Sequence, residues 1–215
     1  MKIITNTGTD RVIDLIRSHL MRGYQLDVVT PSFSLFAFAE MLEALLGLKK
    51  IHLLLPPEET ELAFLGGDTD RAARNRLQTR WLALRCAEWI RDKVELRRTH
   101  GSVPQGAMVM RNSQAQPEQV ILGSFAFSTD GMGITPGNPL SLIQASESAD
   151  EAIQLAQWFD AQWNSLKERP EAKAVFLAKL KAITDHRDPY SIYVLMLHHL
   201  FQSNGDEMDE ECIVK

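Results

Sequence analysis

The chain of 215 residues carries 45% hydrophobic and 24% charged residues, an ordinary composition for a soluble globular protein. The length suits one domain, or one domain with a small appendage, and allows a core that needs no disulfide or metal to hold it. The formal net charge of −5 argues against a strongly basic nucleic-acid clamp.

Targeting signals and metal motifs are missing from the sequence. The segment 1–6 lacks the long apolar core of a signal peptide, and no apolar run reaches the roughly 18 residues that a membrane span needs. The two cysteines, Cys86 and Cys212, lie far apart and outside any metal-binding motif, which is typical of a reducing cytosol. We therefore expect a cytoplasmic protein with no membrane segment, no metal site and no cofactor.

Short apolar strands alternate with helices in the first third of the chain. The pattern predicts, in order, a strand at 2–5, a helix from Thr9 or Asp10 to about Arg22, a strand at 26–32, a helix at 35–46 closed by Gly47, and a strand at 51–55 stopped by Pro56. This alternation favours right-handed crossovers and a parallel core of strands.

The later elements predict that the sheet is mixed. A long helix from about Thr69 to Lys93 leads to a strand at 94–98, and strands at 107–111 and 119–127 form a hairpin around the polar turn 113–117. A loop rich in glycine and proline at 129–139 precedes a last strand at 140–145 and an amphipathic helix at 149–166. The predicted fold class is α/β, a mixed sheet flanked by helices with a helical extension at the C-terminus.

The predicted hairpin carries the outline of a catalytic motif. Residues 105–112 follow the spacing of H-x-K-x-x-x-x-D, residues 123–127 that of G-S-x-N-F, and residues 138–140 that of N-x-E. In outline this resembles the phospholipase D-like superfamily. Gly123 and Ser124 keep the identity that the family motif has. The replaced positions are Gln105 for His, Ala107 for Lys, Asn112 for Asp, Ala126 for Asn and Leu140 for Glu.

The resemblance implies a domain that has lost phospholipase D chemistry. In that family the His attacks phosphorus and the Lys binds the phosphoryl oxygens. Gln105 is an amide without a usable nucleophilic nitrogen, and Ala107 supplies no charge. Ser124 could still donate a hydrogen bond to a phosphate oxygen, or it could satisfy the neighbouring turn. We therefore predict that the chain has no catalytic residues.

The resemblance covers residues 1–168, which look like the phospholipase D-like lobe at the N-terminus of bacterial SNF2-type helicases. Residues 188–201 are similar to the connector between such a lobe and its motor, so we predict a helical connector at 169–203 and a disordered acidic tail at 204–215. The sequence contains no G-x-x-x-x-G-K-[ST] motif, which places the expected helicase core beyond Lys215.

The function implied by the resemblance is a non-catalytic accessory module of a DNA helicase or translocase of the restriction or phage-defence type. Such a module binds DNA or a partner protein. Active members of the family build one site from two motif copies, so a single copy also implies a homodimer.

A basic run is the candidate contact for nucleic acid. Between residues 68 and 98 the sequence has nine Arg or Lys residues and five Asp or Glu residues. The arginine fork binds two phosphate oxygens at once. The alternative interpretation is a solvated helix face with pairs such as Arg85–Glu88. The candidate contacts are Arg74, Arg80, Arg97, Arg98 and His100.

The remaining candidates have ordinary structural interpretations. His100 is more typical of a loop residue than of a phosphate ligand, and the adjacent His198 and His199 cannot bind one metal from a single helix face. Tryptophans that stack on bases must be exposed beside positive charge, so packing in the core or in an interface is the prediction for all four of them. These are Trp81, Trp89, Trp158 and Trp163.

Two rival functions stay open at this point. The first is a phosphodiesterase or nuclease whose nucleophile is His100 or comes from a partner chain. The second is a protein-interaction scaffold without affinity for nucleic acid. A phosphodiesterase assay separates the first from the leading hypothesis, and the salt dependence of DNA binding separates the second.

Overall fold

The computed structural model describes residues 2–57, 79–166, 170–185 and 193. In these residues a seven-stranded mixed sheet carries helices on both faces, which confirms the predicted α/β fold class. The strands are β1 (Lys2–Ile4), β2 (Gln25–Val29), β3 (Lys50–Leu55), β4 (Val94–Arg98), β5 (Gly106–Arg111), β6 (Pro117–Gly123) and β7 (Ile143–Ser146). The helices are α1 (Val12–His19), α2 (Leu35–Gly47), α3 (Thr79–Lys93), α4 (Ala149–Ser165) and α5 (Pro170–Asp185).

The strand order across the sheet is β1-β7-β6-β5-β2-β3-β4. Strands β2, β3 and β4 are parallel neighbours, and the other pairs are antiparallel. The alternation of strands and helices predicted the parallel pairing of β2 with β3. The expectation that β1 joins this parallel core is wrong, because β1 pairs with β7 at the far side of the sheet. A strand–helix–strand pattern gives the direction of each strand but does not say which strand becomes its neighbour.

Two apolar clusters hold the helices against the sheet. The larger joins α1, α2, α3 and α5 to one face, and stacked aromatic rings lie at its centre, with the ring centres of Phe33 and Phe127 5.0 Å apart. The smaller cluster places α4 alone, among the described helices, on the opposite face through Ala156, Phe159 and Trp163. Alternate residues of each strand point to opposite faces, which is why Val109 joins the smaller cluster and Met108 the larger one.

Helix α1 is shorter than predicted. It begins at Val12, not at Thr9 or Asp10, and it ends at His19, not near Arg22. The carboxylate of Asp10 accepts a hydrogen bond from the backbone N–H of Thr5 at 3.0 Å instead of capping the helix. The side-chain oxygen of Asn6 accepts the N–H of Val12 at 3.1 Å, so the cap comes from a residue outside the predicted capping positions.

The hairpin is confirmed, but two strand boundaries are wrong. Strand β6 pairs antiparallel with β5 and ends at Gly123, not at Phe127. Gly123 has a φ of +146°, and the chain turns there, so that Phe127 forms an isolated bridge with Phe33. Strand β7 begins at Ile143, and Leu140 lies in the preceding loop with 88% of its surface exposed.

The remaining helix predictions agree where they can be compared. Helix α2 matches its prediction, with Ser34 accepting the N–H of Phe36 at 3.2 Å, and α4 and α5 lie where helices were expected. Three predicted segments fall outside the described residues. They are the start of the long helix at Thr69, the tail 204–215 and, apart from Tyr193, the part of the helical connector at 186–203. None of the helices in the described part of the chain has a stretch that could span a bilayer.

Candidate functional site

The open end of the hairpin β5–β6 lies at the sheet end where β2 and β6 finish and β5 starts. The register pairs Val29 with Ala107, and Gly106 with Gly123. The residues that follow β2 and β6 therefore lie beside the residue that precedes β5. In a sheet of this kind, segments beyond the strand ends are the usual place for ligand sites.

A cavity of about 340 Å³ lies at this end of the sheet. Hydroxyl, amide and proline side chains line it, together with the carboxylate of Asp130. Among the described residues that line it, there is no Lys, Arg, His or Cys. Its polar lining includes Thr5, Asn6, Ser124, Ser128, Asp130 and Asn138.

Asn6 fixes one wall of the cavity. Its side-chain nitrogen donates to the carbonyl oxygens of Asp130 and Gly131, each at 3.0 Å, while its oxygen accepts from Val12. Asn6 has a φ of +57°, a conformation that asparagine adopts more readily than most residues. The loop after β6 is therefore tied to the start of α1 by one side chain.

Glycines allow the backbone segments around the cavity to approach closely. A Cβ on Gly123 would lie 2.2 Å from the carbonyl oxygen of Leu142, and one on Gly106 would lie 2.5 Å from that of Phe125. These distances are far below van der Waals contact. The close approach of the backbone therefore explains why position 123 is a glycine, without any role in catalysis.

The cavity gathers part of the motif outline described in the sequence analysis. Ser124, Ala126 and Asn138 line it, and the backbone N–H of Ser124 donates to the carbonyl of Leu142 at 2.9 Å. Gln105 is exposed and follows Pro104, which also lines the cavity. The structure therefore brings the serine and asparagine of the motif outline to one place.

Three motif positions lie elsewhere. Ala107 is only 4% exposed and packs in the smaller apolar cluster, and Leu140 is in the exposed loop. Asn112 is at the other end of β5, where its Oδ1 accepts from the N–H groups of Gln114 and Gln116, both at 3.0 Å. The Asn112 side chain therefore organises the hairpin turn and does not contribute to the cavity.

The described lining of the cavity holds serine hydroxyls and one carboxylate. A serine hydroxyl reacts at neutral pH only when a neighbouring base accepts its proton. The hydroxyl of Ser128 donates to Asp130 at 2.6 Å, but no imidazole is among the described lining residues. His100 is exposed just after β4 and does not line the cavity. The described residues also contain no cluster of His, Cys, Asp and Glu that could hold a metal ion.

The candidate arginines differ in their surroundings. The guanidinium of Arg97 lies 4.4 Å from the ring centre of Trp163 and donates to the carbonyl of Leu166 at 3.0 Å, just beyond α4. Arg98 donates to the carbonyl of Pro56 at 2.7 Å. Arg80 is exposed on α3, and Arg74 lies outside the described residues. A nucleic-acid role for these residues stays a prediction, and Arg97 and Arg98 also link elements of the fold.

Sequence reasoning missed a buried ionic cluster on the face of the sheet that α4 covers. Asp27 is fully buried in β2, and its carboxylate contacts His52 at 2.7 Å and Arg111 at 2.5 Å. Burial by itself lowers the pKa of Arg111, but the carboxylates of Asp27 and Asp160 outweigh it and hold this pKa above its ordinary value. The signal in the sequence was Asp27, an acidic residue inside the apolar strand 26–29. A charge buried in such a strand is almost always paired, so a basic partner could have been expected.

Comparison with known proteins gives distant structural likenesses. No protein-family model and no curated protein matches the chain. NucT from Helicobacter pylori is 11% identical with a TM-score of 0.45, over 74% of this chain and 88% of NucT. Nuc from Salmonella typhimurium, a phospholipase D family member, is 15% identical with a TM-score of 0.40, over 74% and 88% of the two chains. TrmBL2, an archaeal chromatin protein described as binding DNA, is 11% identical with a TM-score of 0.42, over 78% and 54%. Likenesses at these values assign neither a family nor a function.

Proposed function

We propose that this chain is a non-catalytic module of phospholipase D-like type that binds DNA or a partner protein beside a helicase or translocase motor. The observation that carries the proposal is the chemistry of the cavity at the motif end of the sheet. Its described lining offers hydroxyls, amides and one carboxylate, but no imidazole, thiol or cation. Such a lining favours binding of a neutral polar group over the histidine-based attack on a phosphodiester that the family motif performs.

Electrostatics supports the loss of phosphoryl-transfer chemistry. Stabilisation of developing negative charge often contributes most to such catalysis, and positive groups usually supply it. Here Ala107 stands at the motif position of the cation and is buried among apolar side chains. The carboxylate of Asp130, which lines the cavity, would repel a phosphate instead of binding it.

The DNA-binding part of the proposal rests on the positive charge of α3. This helix carries four basic residues and two acidic ones, in a chain whose net charge is −5. So small a surplus suits only a few phosphate contacts. We expect binding that is weak, independent of sequence and sensitive to salt.

The test is fluorescence anisotropy of labelled single- and double-stranded DNA, titrated with the chain at several salt concentrations. Each phosphate contact removed should reduce the slope of log K against log salt by about 0.9 for duplex DNA. Arg80→Glu is the informative variant because Arg80 is exposed. Arg97→Glu and Arg98→Glu need a parallel measurement of stability, since both side chains anchor the fold. An unchanged affinity and slope in all three variants would contradict DNA binding through these residues.

The motor context rests on the resemblance of residues 188–201 to a helicase connector. Walker motifs encoded after Lys215 would support this part of the proposal. A restriction or phage-defence role belongs to the same resemblance. Neither part affects the chemistry of the cavity.

A homodimer or protein-interaction module is the second candidate, and the β1–β7 edge favours it. Within the described residues β1 is an edge strand, with Ile3 55% exposed and Leu142 52% exposed near it. Exposed apolar edges are a common place for pairing with another chain. Sedimentation equilibrium should show a dimer that Ile3→Lys weakens, and a monomer at all concentrations would contradict this candidate.

A further inference from the structure

The four tryptophans fall into two groups that the sequence did not distinguish. Trp89 and Trp163 are 2% and 7% exposed and lie in the apolar clusters, as predicted. Trp81 is 49% exposed and Trp158 is 43% exposed. A half-exposed indole leaves apolar surface in water, so its surroundings show whether it fits a ligand.

Trp81 lies on the outer face of α3. The inner face of this helix buries Leu82, Ala83, Cys86, Ala87, Trp89 and Ile90. The outer face presents Trp81 together with Leu84, which is 47% exposed, and the exposed Arg80 and Arg85. The packing of α3 on the sheet does not require the Trp81 ring.

Positive charge lies next to the Trp81 ring. The guanidinium of Arg85 lies 5.7 Å from the ring centre, one helical turn along α3. Arg85 also contacts Glu88 at 3.1 Å, which holds the guanidinium beside the indole. Arg80 is the adjacent residue in the chain.

The second exposed tryptophan lies in the opposite electrostatic setting. Trp158 belongs to α4, which has three acidic residues and no basic one. The groove that it lines contains Glu151 and no Lys or Arg among its described residues. The two rings thus share nearly the same exposure and differ in the sign of the charge around them.

We propose that the outer face of α3 binds single-stranded nucleic acid, with Trp81 stacking on a base and with Arg80 and Arg85 contacting phosphates. This inference rests on the DNA-binding part of the function proposed above and gives it a site and a strand type. A single strand exposes the faces of its bases, whereas a duplex keeps them stacked inside. Aromatic stacking beside arginine accepts every base, so the site is tolerant of sequence.

The experiment uses a labelled oligo(dT) of about 15 nucleotides, the range of a short single-strand site. Anisotropy gives the affinity, and quenching of tryptophan emission reports stacking. Trp81→Ala should weaken binding about five-fold or more and remove most of the quenching, while Trp81→Phe should keep part of both. Trp158→Ala is the matched control and should leave the affinity unchanged. Duplex DNA of the same sequence should bind more weakly than the single strand.

The outcomes separate this site from the proposed function. If oligo(dT) binds and Trp81→Ala has the affinity of the parent chain, DNA binding stands and the Trp81 site is wrong. If neither single-stranded nor duplex DNA binds at low salt, the site and the DNA-binding part of the proposed function both fail. If Trp81 emission changes with chain concentration in the absence of DNA, a second copy covers this face and the proposal is overturned.

Discussion

Arg111 and Asp27 form an ion pair inside the molecule, with Nε of Arg111 2.5 Å from Oδ2 of Asp27. Nδ1 of His52 lies 2.7 Å from the other carboxylate oxygen. Nη2 of Arg111 lies 2.7 Å from Oδ1 of Asp160 on α4. Through these contacts the ion pair links the central strands β2, β3 and β5 to α4.

Removing the buried partner should cost far more than removing the exposed one. Asp27→Asn leaves the largely buried Arg111 without its main charge partner, and we expect a loss of about 3 kcal/mol or more in the free energy of unfolding. Asp160 is 51% exposed, so Asp160→Asn should cost less than about 1 kcal/mol. Urea unfolding of both variants measures the difference, and equal losses would contradict the larger contribution expected of the buried partner.

Gly123 should not tolerate a side chain, although another loop glycine should. Gly123→Ala combines a φ of +146° with a Cβ only 2.2 Å from the carbonyl oxygen of Leu142. We expect it to lower the free energy of unfolding by more than about 1 kcal/mol. Gly101 has open space around its Cβ position, so Gly101→Ala should change stability by less than about 0.5 kcal/mol. Thermal unfolding of the two variants gives the comparison, and equal midpoints would contradict the strain assigned to Gly123.

Local patterns predicted much of the fold. The apolar run 35–46 and Gly47 predicted α2, and the polar turn 113–117 predicted the β5–β6 hairpin. Contacts that are distant in sequence were not predicted. Ile4 of β1 pairs with Ile143 of β7, and no local pattern reports a partner so far along the chain.

The candidate site shows the same division between local and distant information. The sequence shows Gln105 and Ala107 where the family motif has its nucleophile and its cation, and the loss of activity that this implies stays a prediction. The ion pair of Asp27 with Arg111 and the exposure of Trp81 could not be predicted, because each depends on which faces the helices cover. The ends of β6 and β7 were also missed, since Gly123 turns the chain where it approaches Leu142.

Low pH should remove the contribution of the Arg11–Asp14 ion pair to the free energy of unfolding. Nε of Arg11 lies 2.6 Å from Oδ2 of Asp14, and this hydrogen bond lowers the pKa of Asp14. A lowered folded-state pKa stabilises the fold above the unfolded value of about 3.9, and the effect is lost as the pH falls through the folded value. The parent chain should therefore be more stable than Asp14→Asn at pH 6, and the difference should shrink toward pH 2. A difference that is constant with pH in urea unfolding would contradict this assignment.

The thiol of Cys86 should be inert in the folded chain. Cys86 is completely buried, and burial raises the pKa of its thiol well above the ordinary value. In a Cys212→Ser background at pH 8, a thiol reagent should react with no cysteine until denaturant is added. Rapid modification without denaturant would show that α3 opens from the core.

The proposed non-catalytic module should hydrolyse no phosphodiester. The direct measurement is turnover of bis(p-nitrophenyl) phosphate and of single- and double-stranded DNA by the purified chain, with and without divalent metal. Without a nucleophile at Gln105 or a cation at Ala107, and with no imidazole among the described residues that line the cavity, we expect no turnover above the buffer blank. Turnover that persists through purification and disappears in Ser124→Ala or His100→Ala would contradict the proposed non-catalytic role and establish a nuclease.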